Sequence, residues 1–266
     1  MKIGIVGVGT IGKSVIKNVI SQYKDKLNAV FVYDLDIDNL KHVKADFEWL
    51  KPVKSLEEIV KKSDFLVESA SVACVKSLIP LIEKYKKDVL FMSTGGLLSR
   101  EDFLKKSEEQ SVEIIIPHGA IAGLDAIKAV KLAGIKSLSI TSYKPVRSLL
   151  GSPYLVKNKI NLKNVKGKKL IFEGSVKEAV KGFPKSVNVS ATLLLSSGFK
   201  DLKVRVYAHE DSKTIIHVVD VESNISNLQL VSKNYPSLDN PRTSALAIYS
   251  ACEHVRQYIF KNFNKK

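Results

Sequence analysis

The fold of the first half of the chain is decided by residues 2–12, which read KIGIVGVGTIG. The apolar run that ends at Val6 is typical of a buried parallel strand. The glycines that follow form a G-x-G-x-x-G motif, and the amphipathic stretch from Lys13 to Tyr23 predicts a helix. A strand, a glycine-rich turn and a helix N-terminus in this order predict a binding site for the pyrophosphate of a dinucleotide.

Each glycine of the motif has its own role in such a site. Gly7 permits the tight turn, Gly9 lets the pyrophosphate approach the backbone, and Gly12 lets the helix pack closely on the strand. The free N–H groups of the first helical turn face the phosphates. The predicted cofactor-binding residues of this segment are Gly7, Gly9, Thr10, Ile11 and Gly12.

Asp34 ends the second predicted strand and stands 22 residues after Gly12. An acidic residue about 20 positions after the motif hydrogen-bonds the ribose hydroxyls of the adenosine. Its charge also repels a 2′-phosphate, and no arginine follows it nearby. The sequence therefore predicts NAD as the cofactor in preference to NADP, and NADP stays open.

Strands and helices go on alternating up to residue 116. Strands are predicted over Asp64 to Glu68, Val89 to Met92 and Val112 to Ile116, with helices between them. This alternation predicts an α/β fold with a Rossmann-type doubly wound parallel sheet. Ligands of such sheets lie beyond the carboxyl ends of the strands, so Ser69 and Ala70 are predicted neighbours of the cofactor.

The pattern changes after Pro117. Five strand-like runs and four helical runs follow, and the short connections from Lys203 onward predict antiparallel pairing of successive strands. We therefore predict a second, smaller α+β domain. The predicted division is a dinucleotide-binding domain at 1–118, joined by the C-terminal helix at about 240–266, and a substrate and catalytic domain at 119–239.

The net charge raises the question of a nucleic-acid partner. The chain carries 42 lysines and arginines against 27 aspartates and glutamates, a formal net charge of +15. Only five of the basic residues are arginines, and the lysines recur beside glutamates at helical spacing, as in SLEEIVKKS at 55–63. A specific phosphate reader prefers the planar fork of arginine. The charge is therefore interpreted as a solvated surface, typical of thermophilic proteins, and no nucleic-acid partner is predicted.

The sequence predicts a cytoplasmic protein without a membrane partner. No apolar run approaches the length of about 20 residues that a membrane span needs. The N-terminal stretch is interpreted as a strand and a turn, not as a signal peptide. Cys74 and Cys252 are too few for a disulfide framework and belong to no Cys/His constellation, so no metal site is predicted.

Two of the five histidines are candidates for acid–base chemistry. His217 lies in the run TIIHVV at 214–219, where the period of a strand puts it on one face with Ile215 and Val219. It is either a core residue satisfied by a hydrogen bond or a proton-transfer group, and the pattern alone favours the core residue. His118, in the glycine-rich connection after Pro117, is the rival candidate.

Several segments of the second half together resemble the L-aspartate dehydrogenase family. GAIAGLDA at 119–126 resembles the family segment GAIGGLDA, and KP at 144–145 resembles its KP segment. FPKSVNVSATL at 183–193 resembles FPxNxNVxATL, and DNPRTS at 239–244 resembles DNPKTS. With the glycine motif, the resemblance covers nearly the whole chain. The departures are His118, Ala122 and Ser186, where the family often has Ser, Gly and Asn.

The resemblance implies NAD(P)-dependent oxidation of L-aspartate to iminoaspartate. Iminoaspartate hydrolyses to oxaloacetate and ammonia, and it also feeds NAD biosynthesis. The resemblance further implies a homodimer, and dimerisation is assigned to the domain at 119–239.

The resemblance also implies site residues. His217 falls where the family has its active-site histidine, and Ala120, through its backbone N–H, and Asn188 correspond to cofactor contacts. The two carboxylates of the substrate require cations, so Lys144 and Arg242 are candidate substrate-binding residues on the basis of charge. His118 is a third candidate near the substrate.

Two other functions remain open at this point. One is a different two-domain NAD(P)-dependent oxidoreductase, which acts on a semialdehyde, a sugar or a cyclic imine. The other is a non-catalytic protein that binds a dinucleotide or a nucleic acid. Turnover of L-aspartate with NAD distinguishes the enzymes, and a salt-dependent shift on DNA without turnover favours the binding protein.

Overall fold

The chain folds into two compact units. The computed structural model describes residues 1–184, 187–210, 212–240 and 243–264. The first unit comprises Met1–Pro117 and Ile248–Lys266, and the second comprises His118–Ala247. The described residues 240 and 243–247, which were predicted to join the first unit with the C-terminal helix, fall in the second unit.

The first unit alternates short buried strands with helices. Its elements, in chain order, are β1 (Lys2–Val6), α1 (Thr10–Asn18), β2 (Ala29–Tyr33), α2 (Ile37–Asp46), β3 (Lys51–Pro52), α3 (Leu56–Lys62), β4 (Phe65–Glu68), α4 (Val72–Tyr85), β5 (Asp88–Phe91), α5 (Glu101–Glu109) and β6 (Ile114–Ile115). Two 3₁₀ helices, Ile20–Lys26 and Thr94–Ser99, lie between them.

These strands form one parallel sheet in the order β3-β2-β1-β4-β5-β6. The strand order reverses between β1 and β4, so the connections that leave these two strands run to opposite sides of the sheet. The crevice between them, beyond the carboxyl ends of the strands, is where doubly wound sheets bind ligands. Residues 3–6 of β1 and 65–67 of β4 are apolar and buried, as parallel strands between helix layers must be. The predicted Rossmann-type doubly wound sheet is confirmed.

The C-terminal helix α11 (Ala245–Phe263) packs on this sheet. Its residues Ala251, Val255 and Ile259 are fully buried in the core that also contains β1 and α1. The ring of Tyr258 stacks on Phe65 at 3.8 Å, and its hydroxyl donates to the carboxylate of Asp88 at 2.5 Å. The last helix therefore completes the core of the first unit, although it follows the second unit in sequence.

The second unit combines a sheet with helices on one face. Its elements are α6 (Leu124–Ala133), β7 (Ile135–Pro145), α7 (Val146–Leu149), α8 (Pro153–Lys157), β8 (Lys168–Ser175), α9 (Val176–Gly182), α10 (Asn188–Ser197), β9 (Lys203–His209), β10 (Ile215–Ser223) and β11 (Asn227–Asn234). The predicted α+β character is confirmed by this arrangement.

The predicted pairing of successive strands from Lys203 onward is wrong in one place. The sheet order is β11-β10-β7-β9-β8, so β7 lies between β9 and β10. β7 pairs antiparallel with β10 and parallel with β9. Short connections indicated direct pairing of β9 and β10, but β7 is eleven residues long and offers both its edges to them. Only β10 and β11 pair as predicted.

The two faces of this sheet differ. Every second residue of β10 points inward and is buried, as the period-2 pattern predicts: Ile215, His217, Val219 and Val221. Helix α6 packs against β10, and α9 packs against β8 and β9. The outward face carries partly exposed side chains, among them the rings of Tyr143 and Tyr207, whose centroids lie 5.0 Å apart.

Within the described part of the chain, no helix combines the length and the apolar character needed to cross a bilayer.

Candidate active site

The glycine turn between β1 and α1 leaves one open position. Gly7 has a φ of +87°, and a side-chain carbon there would lie 2.7 Å from the backbone of Ala70. At Gly12 such a carbon would collide with the carbonyl oxygen of Gly7. At Gly9, by contrast, it would meet no atom within 4 Å. Gly7 and Gly12 are therefore required by the fold, whereas Gly9 keeps a space clear for a ligand.

Asp34 holds the glycine turn from the adjacent strand end. Its Oδ2 accepts a hydrogen bond from the backbone N–H of Val8 at 2.8 Å, and its Oδ1 accepts one from the N–H of Asp36 at 2.9 Å. The carboxylate is thus fixed at the mouth of the turn. This is the position from which an acidic side chain meets the ribose of a bound dinucleotide.

A cavity of about 500 Å³ opens beside these groups. The predicted residues that line it are Gly7, Gly9, Asp34, Ser69 and Ala70, and we call these five the cofactor cradle. Three other predicted residues, Thr10, Ile11 and Gly12, form the first turn of α1 and are not among the described residues of the cavity wall. The cradle fits a dinucleotide, because the space at Gly9 is open and α1 directs its free N–H groups there.

Glu68, at the carboxyl end of β4, supports the cradle and was not singled out by the sequence analysis. It is fully buried, and its Oε1 accepts hydrogen bonds from the N–H groups of Ala70 and Ser71 at 2.9 and 3.0 Å. Its Oε2 accepts one from the N–H of Ser93, after β5, at 2.9 Å. Burial raises the pKa of its carboxyl to about 7, and these N–H donors oppose the rise. An acidic residue that ends the buried run DFLVE is the signal that could have revealed it.

Cys74 also lines the cavity. Burial, together with the carboxylates of Glu68 and Asp34, raises the pKa of its thiol to about 12. The thiol therefore stays protonated at neutral pH and is a poor nucleophile.

In the second unit, His217 is buried on the inward face of β10, with 2% of its surface exposed. Its Nδ1 shares a hydrogen bond of 2.8 Å with the hydroxyl of Ser142, its register partner on β7. Its register partner on the other side, on β11, is Ser232. Burial and the nearby cation of Lys144 hold the pKa of His217 well below its ordinary value, so the imidazole is neutral at physiological pH.

Lys144 lies two residues after Ser142 on the same face of β7 and is only 3% exposed. Burial lowers the pKa of its amine to about 8. Among the residues that the structure describes, no carboxylate lies within ion-pair distance of its Nζ. A buried ammonium without a counterion is costly, so this position favours an anionic ligand.

Ala120 is attached to the same sheet. Its carbonyl oxygen accepts hydrogen bonds from the Ser232 hydroxyl and from Nδ2 of Asn234, both at 2.9 Å. Ser142, Lys144, His217, Ser232 and Asn234 therefore share one end of the inward face across β7, β10 and β11, and we call them the polar cluster.

Three predicted site residues remain, Asn188, His118 and Arg242. Asn188 begins α10 and is half-buried. The next residue, Val189, lies close to the loop of Ala120, because a side-chain carbon at Gly119 would be 4.0 Å from its Cγ1. His118 is half-buried and precedes the loop of Ala120. Arg242 lies outside the described residues. The described residues contain no group of three or more His, Cys, Asp or Glu that could hold a metal ion.

Comparisons with known proteins agree with this two-part arrangement. Residues 125–258 match the family model of the aspartate dehydrogenase C-terminal domain, and residues 7–117 match that of the homoserine dehydrogenase NAD-binding domain. L-aspartate dehydrogenases of Methanococcoides burtonii and Methanocella arvoryzae are 34% and 36% identical to the chain. These alignments cover 97% and 96% of this chain and 96% of each relative.

A solved structure shows the same similarity in three dimensions. The aspartate dehydrogenase of Thermotoga maritima superposes with a TM-score of 0.74 at 27% identity, over 97% of this chain and 96% of that one. The family resemblance inferred from the sequence is confirmed, and so is a pyridine nucleotide as the cofactor class. The chain belongs to the L-aspartate dehydrogenase family of NAD(P)-dependent enzymes.

Proposed function

We propose that the protein oxidises L-aspartate to iminoaspartate, with release of a proton and transfer of a hydride from the substrate Cα to NAD. Water then converts iminoaspartate to oxaloacetate and ammonia. One observation carries this proposal: a buried lysine without a described carboxylate partner lies beside a buried neutral histidine, in a chain of this family. When bound, the nicotinamide ring supplies the hydride acceptor.

Lys144 is the proposed site for one carboxylate of the substrate. Its ammonium gains a counterion only when an anion enters, because the described residues provide none. A charge-assisted hydrogen bond to a buried ammonium also selects an acid over its amide. Arg242 as the cation for the second carboxylate, and His118 as a further substrate contact, stay predictions.

His217 is the proposed proton acceptor. We assign the proton of the neutral imidazole to Nδ1, which then donates to Ser142 Oγ and leaves the lone pair of Nε2 available. The substrate amine must lose its proton before hydride leaves the Cα, and Nε2 takes that proton. Once that proton has passed to solvent, the same nitrogen can accept a proton from the water that attacks the imine.

Substrate binding also activates this base. The cation of Lys144 lowers the pKa of His217, although burial is the larger cause. A carboxylate paired with Lys144 neutralises that charge, so the pKa of His217 rises when the substrate is in place. The imidazole therefore becomes a better proton acceptor with substrate than without it.

NAD is the proposed cofactor in preference to NADP. Asp34 directs its carboxylate to the mouth of the glycine turn, where a 2′-phosphate would be repelled. None of the described residues that line the cavity is a lysine or an arginine. Ala120, through its N–H, and Asn188 are proposed to contact the same cofactor, as the family resemblance implies.

The outward face of the second sheet supports a homodimer. Tyr143, Tyr207, Ile216 and Val218 are partly exposed there, and Val231 is 58% exposed. These apolar side chains share the face with charged residues such as Arg205, and a second copy that covers them would remove their apolar surface from water. Light scattering should give twice the mass of one chain, and Val218→Asp should reduce the measured mass to that of a single chain.

A cytoplasmic location, a thermophilic source and a contribution to NAD biosynthesis stay predictions.

The decisive experiment is NADH-linked turnover over a panel of amino acids and keto acids. L-Aspartate should be oxidised with NAD, and oxaloacetate with ammonia should be reduced with NADH. L-Asparagine, which lacks the second carboxylate, is the matched control and should react at least 100-fold more slowly. Preferred turnover of a semialdehyde, a sugar or a cyclic imine would contradict the proposal.

A further inference from the structure

The loop from Gly119 to Gly123 is fixed to β11 at two points. Gly123 has a φ of +73°, and a side-chain carbon there would lie 2.6 Å from Cδ1 of Leu230. Three residues earlier, the carbonyl of Ala120 accepts hydrogen bonds from β11. The loop therefore follows the inward face of this strand closely and has little freedom to move along it.

Two donors hold one carbonyl oxygen. Ser232 Oγ and Asn234 Nδ2 each lie 2.9 Å from the oxygen of Ala120. Asn234 is 4% exposed and Ala120 is 5% exposed, so water does not readily replace either bond. Two buried donors on one acceptor define the direction of the carbonyl, and they thereby restrict the orientation of the residue that carries it.

The same strand pair places this attachment beside the candidate base. Ser232 is the register partner of His217, and both lie on the inward face. Directly opposed residues of antiparallel strands have their Cβ atoms about 4.5–5.5 Å apart. The position of Ala120 is therefore fixed relative to the strand pair β10–β11, which carries His217.

We propose that Ser232 and Asn234 are positioning residues that hold Ala120 at a fixed place relative to His217. Ala120 is the proposed cofactor contact and His217 the proposed base, so this inference rests on the proposed function. The hydride acceptor and the proton acceptor must both reach the same substrate carbon and nitrogen. A common support for the two groups keeps their separation constant through the reaction.

A purely structural role makes a different prediction, and the chain offers a matched control. Asn224 Nδ2 donates to the carbonyl of Ala133 at 2.7 Å, at the opposite end of α6. It is the same kind of bond, from the same residue type to a backbone carbonyl of the second unit, but Asn224 is exposed and the bond lies away from Ala120. Asn224→Ala should leave cofactor affinity and kcat within twofold of the wild-type values.

The test compares four variants of the full chain: Asn234→Ala, Asn234→Asp, Ser232→Ala and Asn224→Ala. The readouts are the Kd for NADH by fluorescence titration, kcat, KM for L-aspartate, and the melting temperature. Asn234→Asp keeps the shape of the side chain but replaces the donor with an acceptor. It should therefore lose cofactor affinity and kcat, as Asn234→Ala does, because the carbonyl oxygen of Ala120 then faces a buried carboxylate instead of a donor.

We expect both Asn234 variants to raise the Kd for NADH and to lower kcat by about 10-fold each, the effect of removing one donor from a buried acceptor. KM for L-aspartate should change less than threefold, because Lys144 is untouched. Ser232→Ala should act in the same direction but less strongly, and its half-buried position makes it the variant to rely on if the Asn234 variants do not fold.

Unchanged Kd and kcat in the folded Asn234 or Ser232 variants would overturn the inference, and so would equal losses in the Asn224 control. Failure of the proposed function has a different signature. In that case the wild type does not oxidise L-aspartate, yet Asn234→Ala still weakens NADH binding while Asn224→Ala does not. That result supports the positioning of Ala120 without the reaction.

Discussion

The cofactor cradle and the polar cluster are built in opposite ways. The cradle is made mainly of backbone, and its key position, Gly9, contributes by having no side chain. The polar cluster is made of side chains from three strands, and each position contributes a specific donor, acceptor or charge. The cradle is thus sensitive to added atoms and the cluster to removed ones. This difference predicts how each region responds to substitution.

The largest effect is expected from filling the cradle. Gly9→Val should abolish measurable NADH binding, because the added methyl groups occupy the space that a pyrophosphate needs. The melting temperature should stay near the wild-type value, since a Cβ atom at Gly9 meets no protein atom within 4 Å. Fluorescence titration and thermal melting check both statements.

Gly12→Val is the matched control for that prediction. A side chain at Gly12 collides with the carbonyl of Gly7, so this variant should lose stability as well as binding. Normal NADH affinity in Gly9→Val would contradict the assignment of the open position to the cofactor.

The next largest effect is expected from removing the base of the polar cluster. His217→Ala should lower kcat for L-aspartate by roughly 100- to 10,000-fold, the range for loss of one acid–base group. NADH affinity should change little, because the cradle and the two hydrogen bonds that hold Ala120 are untouched. A histidine with only a structural role gives the reverse result: a lower melting temperature from the cavity and near-normal turnover well below it. In that event His118 becomes the next candidate.

Lys144→Met should weaken binding of carboxylate ligands by about 100-fold, because a buried charge pair is lost. Succinate, which has both carboxylates of aspartate and no amine, is a suitable competitive probe. In the wild type, its affinity should fall as the pH rises through about 8, because Lys144 then loses its proton in the free enzyme. The variant should show no such pH dependence. Equal inhibition of both proteins at pH 7 would remove Lys144 from the carboxylate site.

The same variant tests the coupling between the lysine and the histidine. Removal of the cation takes away one of the two causes that lower the pKa of His217, so this pKa should rise while burial still keeps it below the ordinary value. NMR titration of the histidine ring protons measures it, and His217→Ala assigns the signal. An unchanged pKa would mean that burial alone keeps the imidazole neutral.

The smallest effect is expected at the edge of the cradle. Asp34→Ala should weaken NAD binding by about 10- to 100-fold, through loss of a charge-assisted hydrogen bond to the ribose, worth roughly 1.5–3 kcal/mol. NADP binding should weaken less or improve, because the repulsion of the 2′-phosphate is removed. Asp36→Ala, two residues along the chain, is the control and should not change the ratio of NAD to NADP affinity. Equal losses for both cofactors would contradict the role of Asp34 in cofactor choice.

Most of the cradle could be predicted from the sequence because its parts are close in the chain. Gly7 and Gly9 lie in the turn before α1, Gly12 lies in its first turn, and Asp34 directly follows β2. Their conformations are dictated locally, by the freedom of glycine and by the strand–turn–helix order. Glu68 was missed because its role depends on Ser93, which β5 brings next to it only when the sheet forms.

The sequence by itself determined the doubly wound sheet, the glycine turn, the acidic residue at its mouth, and the alternation that buries His217. These are local features, set by backbone freedom and by the period of a strand. Only the tertiary structure decided that β7 lies between β9 and β10. That insertion puts Ser142 on Nδ1 of His217 and Lys144 beside them. Ser142 and His217 are 75 positions apart in the chain, and their pairing depends on strand register, which the whole sheet sets at once.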